Sequence, residues 1–301
     1  MACGKDSCPA RGCAVLSWST SNTLLTMTIA FTKLHGNGND FILIDEMKGT
    51  VIPDDMKAQF AVSYCDRRFG IGADGVLFIS ASDNADVRMR LFQPDASEAE
   101  MCGNGIRCLA KYAFDENYAK TKSFSVETLA GVLTVRAGYD CEGCFSATID
   151  MGAPKYDAAS IPAAGPGDVA ADIDGMKVYA VNTGVPHAVI FVDDVEAVDL
   201  EVVAPKIRHH ALFPKGTNVN FVQVIGSSSI TIRTFERGVE GETLSCGTGS
   251  TASALLAEKI GKVSGEVIHV ETVGGPLEIA VGEQAMMTGP AETVFVGEIL
   301  F

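Results

Sequence analysis

Two cysteines of the chain lie in the same local frame, Met101-Cys102-Gly103-Asn104-Gly105 and Ser245-Cys246-Gly247-Thr248-Gly249, and each frame runs into a stretch of helical character. The first turn of a helix carries N–H groups without intrahelical partners, and with the macrodipole these attract negative charge. A cysteine at that position is expected to have its thiolate favoured. A carboxylate bound beside it can be held by the amides of Gly103, Asn104, Gly247 and Thr248. The flanking glycines let backbone approach a ligand without an intervening Cβ. If two such cysteines face each other across one carbon, a thiolate can remove a proton from one side while the opposing thiol delivers a proton to the other. That chemistry is racemisation or epimerisation, and it needs neither a metal nor an organic cofactor. The alternative is two buried caps in packed helices, which one motif alone would allow; a repeat in register weakens it.

The elements that must position these cysteines form short β-rich runs broken by Gly, Pro and Asp. Helices are expected at 54–67, 103–118, 197–211 and 247–262. Aligning the two cysteines aligns much else. Gly38 lies 64 residues before Cys102 and Gly184 lies 62 before Cys246, while Gly72 and Gly216 each lie 30 before their cysteine. Phe92 and Phe235 lie 10 and 11 before it, each ending a strand that runs into an acidic loop. Such agreement indicates an internal duplication with a period far too long for a solenoid. The expected fold is α/β (α+β): two pseudo-symmetric lobes, each a mixed β-sheet wrapped around a central helix. Pseudo-twofold symmetry would bring both helix N-termini toward one point. Residues 27–147 plus 292–301 would form the first lobe and 148–291 the second, with a linker near 147–150. Residues 1–26 read as an appendage expected to be disordered, with Met27 suited as an initiator.

The chain has 301 residues, 47% of them hydrophobic, with 31 glycines and a formal charge of −15. That describes a foldable globular protein whose surface repels nucleic acid and anionic membranes. The run AVLSWSTSNTLLTMTIA is too polar for a membrane span or a signal-peptide core, which points to the cytoplasm. The 9 cysteines then read as reduced thiols. Cys141 and Cys144 form a CxxC between two strand-like runs, best read as a hairpin turn. Cys3, Cys8 and Cys13 fit no zinc pattern with a matching second half. Gly70-Ile-Gly72-Ala-Asp-Gly75 matches a dinucleotide fingerprint in letters only, because a strand rather than a helix follows it.

The stretches FTKLHGNGNDFILID, RRFGIGADGVLF, SEAEMCGNGIRCLAKYA, FPKGTNVNFV and FERGVEGETLSCGTGSTASA together resemble the diaminopimelate epimerase family, over nearly all of the chain from Ile29 to Phe301. The resemblance implies a cofactor-independent isomerase of lysine biosynthesis that acts on diaminopimelate and is commonly a homodimer. It implies Cys102 and Cys246 as the acid/base pair. Substrate contacts would come from Asn39, Gln93, Asn218, Glu236 and Arg237, together with the amides of Gly103, Asn104, Gly247 and Thr248. His187 and Glu236 would tune the thiols. Read without the resemblance, Asn39 and Asn218 are ordinary turn residues, Arg237 beside Glu236 could be a surface ion pair, and His187 could be structural. Three positions depart from the family pattern. Gln93 stands where many members have Asn, Val185 replaces Asn in an Asn-Pro-His run, and Gly75 replaces a Gln. These changes fall on substrate recognition and keep open a racemase or epimerase of another amino acid, of the histidine or hydroxyproline type; a more distant alternative is a non-catalytic thiol redox sensor whose facing cysteines form a disulfide.

Overall fold

The computed structural model describes residues 28–301; the appendage, with Cys3, Cys8 and Cys13, lies outside the described residues. The first half runs β1 (Thr28–Gly36), β2 (Asn39–Glu46), α1 (Asp54–Cys65), β3 (Gly75–Ser80), β4 (Val87–Phe92), β5 (Glu98–Ala99), α2 (Gly103–Asp115), β6 (Ser123–Thr128), β7 (Gly131–Tyr139) and β8 (Phe145–Asp150). The second runs β9 (Ala170–Ile173), β10 (Met176–Asn182), β11 (Pro186–Phe191), α3 (Leu200–Arg208), β12 (Asn218–Gly226), β13 (Ser229–Glu236), β14 (Gly241–Thr243), α4 (Gly247–Lys259), β15 (Val267–Thr272), β16 (Gly275–Ala280), β17 (Met286–Pro290) and β18 (Glu292–Leu300).

The duplication holds strand by strand. β1 and β2 pair antiparallel, β2 and β3 parallel, β3 and β4 antiparallel, and β4 then takes β5 antiparallel and β6 parallel. β10 to β15 repeat this order and these directions. The glycine landmarks behave alike: Gly38 and Gly184 have φ of 80° and 106°, and Gly72 and Gly216 have 79° and 70°, turn conformations that a side chain rarely adopts. β18 pairs with β1 as β9 pairs with β10. The last strand of the chain therefore fills, in the first half, the place that β9 fills in the second.

The expected linker at 147–150 is instead part of β8, which pairs with β7 of its own half and with β17 of the other. Phe145, Ala147 and Ile149 alternate inward along this strand, and β7 and β17 occupy its two edges. The connection without regular strand or helix follows instead, between β8 and β9. The helices lie where the sequence places them but end two or three residues earlier, and α3 is trimmed at both ends around Pro205. Cys141 and Cys144 are exposed in the β7–β8 turn, where the Asp140 carboxylate accepts from the N–H groups of Glu142 and Cys144.

The central helices differ from surface helices in being enclosed. Ten of thirteen residues of α2 and ten of thirteen of α4 are buried. In α4 the helix can pass close to its sheet because the row is small, Ser250, Thr251, Ala252, Ser253, Ala254, and the hydroxyls of Ser250 and Thr251 return to the carbonyls of Cys246 and Gly247 at 2.9 Å. In α2 the fully buried Arg107 donates to Pro290 O at 3.0 Å and to Asn37 Oδ1 at 2.7 Å, while Asn37 Nδ2 donates to Pro276 O at 3.0 Å. Both acceptor carbonyls belong to the second half, so this cluster stitches the halves together. Burial pulls the Arg107 guanidinium down to about 10.

The two helix starts meet at one side chain. A Cβ on Gly103 would stand 2.8 Å from Met287 Cε, and one on Gly247 would stand 3.0 Å from Met287 Sδ. Met287 is fully buried on β17. Truncating it removes the shared contact, so Met287→Ala is expected to lower the unfolding free energy by about 2–5 kcal/mol, read as a reduced midpoint in urea with an unchanged slope.

Candidate active site

Each cysteine caps its helix in extended conformation, Cys102 at φ −143°, ψ 119° and Cys246 at φ −116°, ψ 109°. The sulfur of Cys102 accepts from Gly105 N at 3.5 Å, the part a Ser or Asp oxygen plays at an ordinary helix start. The N–H groups of Gly103, Gly247 and Thr248 have no hydrogen-bond partner among the described residues. Across the join, Asn104 Nδ2 donates to Ser245 O at 3.0 Å and to Asn39 Oδ1 at 3.2 Å. Asn104 thereby links the first cysteine motif directly to the residue before the second cysteine. Asn104 Oδ1 and Ser245 Oγ remain buried without a partner.

Around Cys102 the thiol donates to Asn39 Oδ1 at 3.7 Å. Asn39 Nδ2 donates to Asp74 Oδ2 at 2.6 Å, and Arg67 joins Asp74 to Asp40 with contacts of 2.8 and 2.7 Å. Lys33 pairs with Asp40 at 2.7 Å, and these cations hold the Asp40 carboxyl well down, at about 2, against the opposing effect of burial. This network fixes which way the Asn39 amide faces, so its oxygen is presented to the sulfur.

Around Cys246 the partners are different. Thr248 Oγ1 lies 3.4 Å from the sulfur and 2.9 Å from His187 Nε2. Glu236 takes a hydrogen bond from Thr243 Oγ1 at 2.5 Å and faces the Cys246 thiol, and burial pushes its carboxyl upward. Asn218 accepts from Arg237 N at 2.7 Å and donates to Pro186 O at 3.2 Å. The Arg237 side chain makes no ion pair among the described residues and reaches only Lys215 O at 3.5 Å, so the alternative of a Glu236–Arg237 surface pair is not what forms. Gln93 is apart from both thiols in its hydrogen bonding: Ser97 Oγ donates to its Oε1 at 2.8 Å within the exposed loop after β4.

One expectation is reversed. Burial pushes both thiols up and outweighs the N–H groups of Gly105 and Asn104 at Cys102 and of Gly249 at Cys246, which act downward. The carboxylate of Glu236 adds to the upward push on Cys246. The physical reason is desolvation: a sulfur taken out of water loses more than two or three partial charges return. Sequence reasoning counted the helix terminus and could not count the water.

Residues missed in the sequence are the supports: Asp74 behind Asn39, Thr243 behind Glu236, and the buried pair Asn220 and Thr234 behind His187. Asn218 and Asn220 share a strand face two residues apart in the otherwise apolar run NVNFV, and that pattern was the available signal. His187 is fully enclosed, and burial, reinforced by the positive field of Arg237, drives its imidazolium down to about 3. The neutral ring therefore contributes stability that is fully present above the unfolded value near 6.5 and is lost as pH falls toward 3. Urea denaturation across that window is expected to show a falling free energy, with a shallower slope in His187→Gln.

The profile of the family described as diaminopimelate epimerase matches residues 31–156 and 179–294. A diaminopimelate epimerase of Methanothrix thermoacetophila is 55% identical over 273 residues, covering 90% of this chain and 96% of that protein. One from Methanocella arvoryzae is 55% identical over 274 residues, again covering 90% and 96%. Among solved structures, a PhzF-family phenazine biosynthesis protein of Bacillus anthracis shares the fold with a TM-score of 0.70 at 18% identity, covering 91% of this chain and all of that one. A hydroxyproline epimerase from Agrobacterium vitis does so at 0.60 and 16%, covering 90% of this chain and 91% of its own. With the duplicated lobes, the paired cysteine caps and these relatives in agreement, the chain belongs to the diaminopimelate epimerase family.

Proposed function

We propose that the protein interconverts LL- and meso-2,6-diaminopimelate by proton transfer between Cys102 and Cys246 across the α carbon, as a step of lysine biosynthesis. The observation that carries this reading is the convergence of two cysteine-capped helix starts on Met287, with unpaired N–H groups at Gly103, Gly247 and Thr248. A substrate α-carboxylate bound to those N–H groups would place its α carbon between the sulfurs, with its charge at the positive ends of two helices. As the α proton leaves, negative charge grows on that same carboxylate, so the donors strengthen toward the transition state. The orphaned Asn104 Oδ1 and Ser245 Oγ are buried polar atoms that ordered water or donors of a bound substrate would satisfy.

Glu236, raised by burial and facing Cys246, serves as the local base that takes the thiol proton. Cys102, held as a thiol by Asn39 Oδ1, supplies the proton to the opposite face, and the roles exchange in reverse. Arg237, free of any ion pair, is suited to grip the distal carboxylate in bidentate fashion, with Asn39, Asn218 and Gln93 as further polar contacts. No pyridoxal phosphate is needed, because two aligned donors and a second acid replace its electron sink. The thiols require a reducing compartment, which fits the cytoplasm. A homodimer is supported by β18, which carries the exposed Val294 and Val296 and among the described residues pairs only with β1.

Reduced protein with no added cofactor is expected to convert LL-diaminopimelate to the meso isomer, followed by chiral chromatography. Cys102→Ser and Cys246→Ser are each expected to lower kcat by about 10²–10⁴-fold, and Arg237→Met to act mainly on KM. Turnover of histidine or hydroxyproline with none of diaminopimelate would favour the other-substrate reading, for which the apolar Val185 is the one specific observation.

A further inference from the structure

The duplication supplies an internal control for the surroundings of the second thiol. His187 pairs with Asn218 as Phe41 pairs with Gly75, and Asn220 pairs with Thr234 as Leu77 pairs with Leu91. The helix starts report the same correspondence. A Cβ on Gly105 would stand 3.4 Å from Leu77 and 3.6 Å from Phe41, whereas one on Gly249 would stand 2.5 Å from Asn220 Oδ1 and 3.3 Å from His187 Cε1. One helix therefore rests on Phe41, Leu77 and Leu91, the other on His187, Asn220 and Thr234, and all six side chains are buried. An apolar triplet suffices for packing in one lobe. Three buried polar groups in the same places of its sister carry a desolvation cost that packing does not require.

Their hydrogen bonds run in one direction. Ala188 O can only accept, so the Asn220 amide turns Nδ2 toward it at 3.0 Å, and Thr234 Oγ1 donates to Asn220 Oδ1 at 3.0 Å. The second Nδ2 hydrogen points at His187 Nδ1, 3.1 Å away, which must accept it; the ring proton then resides on Nε2. Nε2–H donates to Thr248 Oγ1 at 2.9 Å, which leaves the threonine proton for Cys246 Sγ at 3.4 Å. The charged groups facing this chain are Arg237 toward His187 and Glu236 toward Cys246. Glu236 can only accept while ionised and can donate only once it has taken the thiol proton, whereas the Thr248 hydroxyl is a donor in either state. Cys102 has no such device: its side-chain neighbour is Asn39 Oδ1, an acceptor.

We propose that Asn220 is a positioning residue that locks His187 in the Nε2–H tautomer, so that the Thr248 hydroxyl donates to Cys246 and steadies its thiolate. The consequence for turnover rests on the two-thiol reading above; the tautomer does not, and it is measured without substrate. In ¹⁵N-histidine-labelled protein at neutral pH, His187 is expected to show an unprotonated Nδ1 and a protonated Nε2. Alkylation of Cys102 and Cys246 by iodoacetamide, resolved by peptide mass mapping across pH, gives the second readout. Asn220→Leu, which installs the sister lobe's residue, is expected to move the Cys246 midpoint upward by about one pH unit, the scale of one lost hydrogen bond to a charged group, and to leave Cys102 in place. A protonated Nδ1 in the wild-type protein overturns the proposal, and that measurement needs no variant to fold. So does a folded Asn220→Leu protein whose Cys246 profile is unchanged, or one in which both thiols shift together. Failure of diaminopimelate turnover with the tautomer intact would count against the function and not against this chain of bonds.

Discussion

Everything at this site depends on two helix N-termini sharing one point. The glycine at each start lets the Met287 side chain pack against both helices, where a Cβ on either would press on its Sδ and Cε atoms. The shared point is possible only because the sheets are continuous through β8 and β17, which carries Met287 between the halves. Asn104 and Arg107 then tie α2 to carbonyls around the second half. A duplicated chain can build this once the two copies join edge to edge. A single copy would present one thiol and one set of N–H groups to solvent.

The same enclosure sets the electrostatics. Taking two sulfurs out of water raises both, and the helix termini recover only part of that. A dry site with thiols resting protonated is nevertheless useful, because a carbanion next to a carboxylate is best stabilised where fixed dipoles act at low dielectric. The lobes answer the same problem in different ways. At Cys102 a carboxylate–arginine network orients one amide oxygen as acceptor. At Cys246 a buried carboxyl and a threonine hydroxyl lie beside the sulfur. Symmetric backbones thus carry asymmetric side chains, which suits a reaction whose two faces bear different proton carriers.

Much of this was legible in the sequence. The two Cys-Gly-x-Gly frames and the glycines at 38, 72, 184 and 216 expose the duplication because turns with positive φ and close helix approaches leave glycine little alternative. The helices are recoverable because their starts are marked. The linker was misplaced because alternation in FSATID reads the same whether a strand ends one lobe or joins two; only the partner strand decides. The supports Asp74 and Thr234 were not legible, since a buried polar side chain is recognised by what surrounds it, and Asn220 left only its spacing from Asn218 as a signal. The thiols' upward shift escaped for the same reason: burial is a property of the assembled lobes and no local spacing encodes it.

The central claim is that each face of the substrate carbon has its own proton carrier, and early product formed in deuterium oxide tests it most directly. Starting from LL-diaminopimelate, the account predicts meso product carrying solvent deuterium at the inverted carbon while the remaining LL pool keeps its protium. Product that retains the substrate's own α proton would mean that one group serves both faces, and would contradict the account.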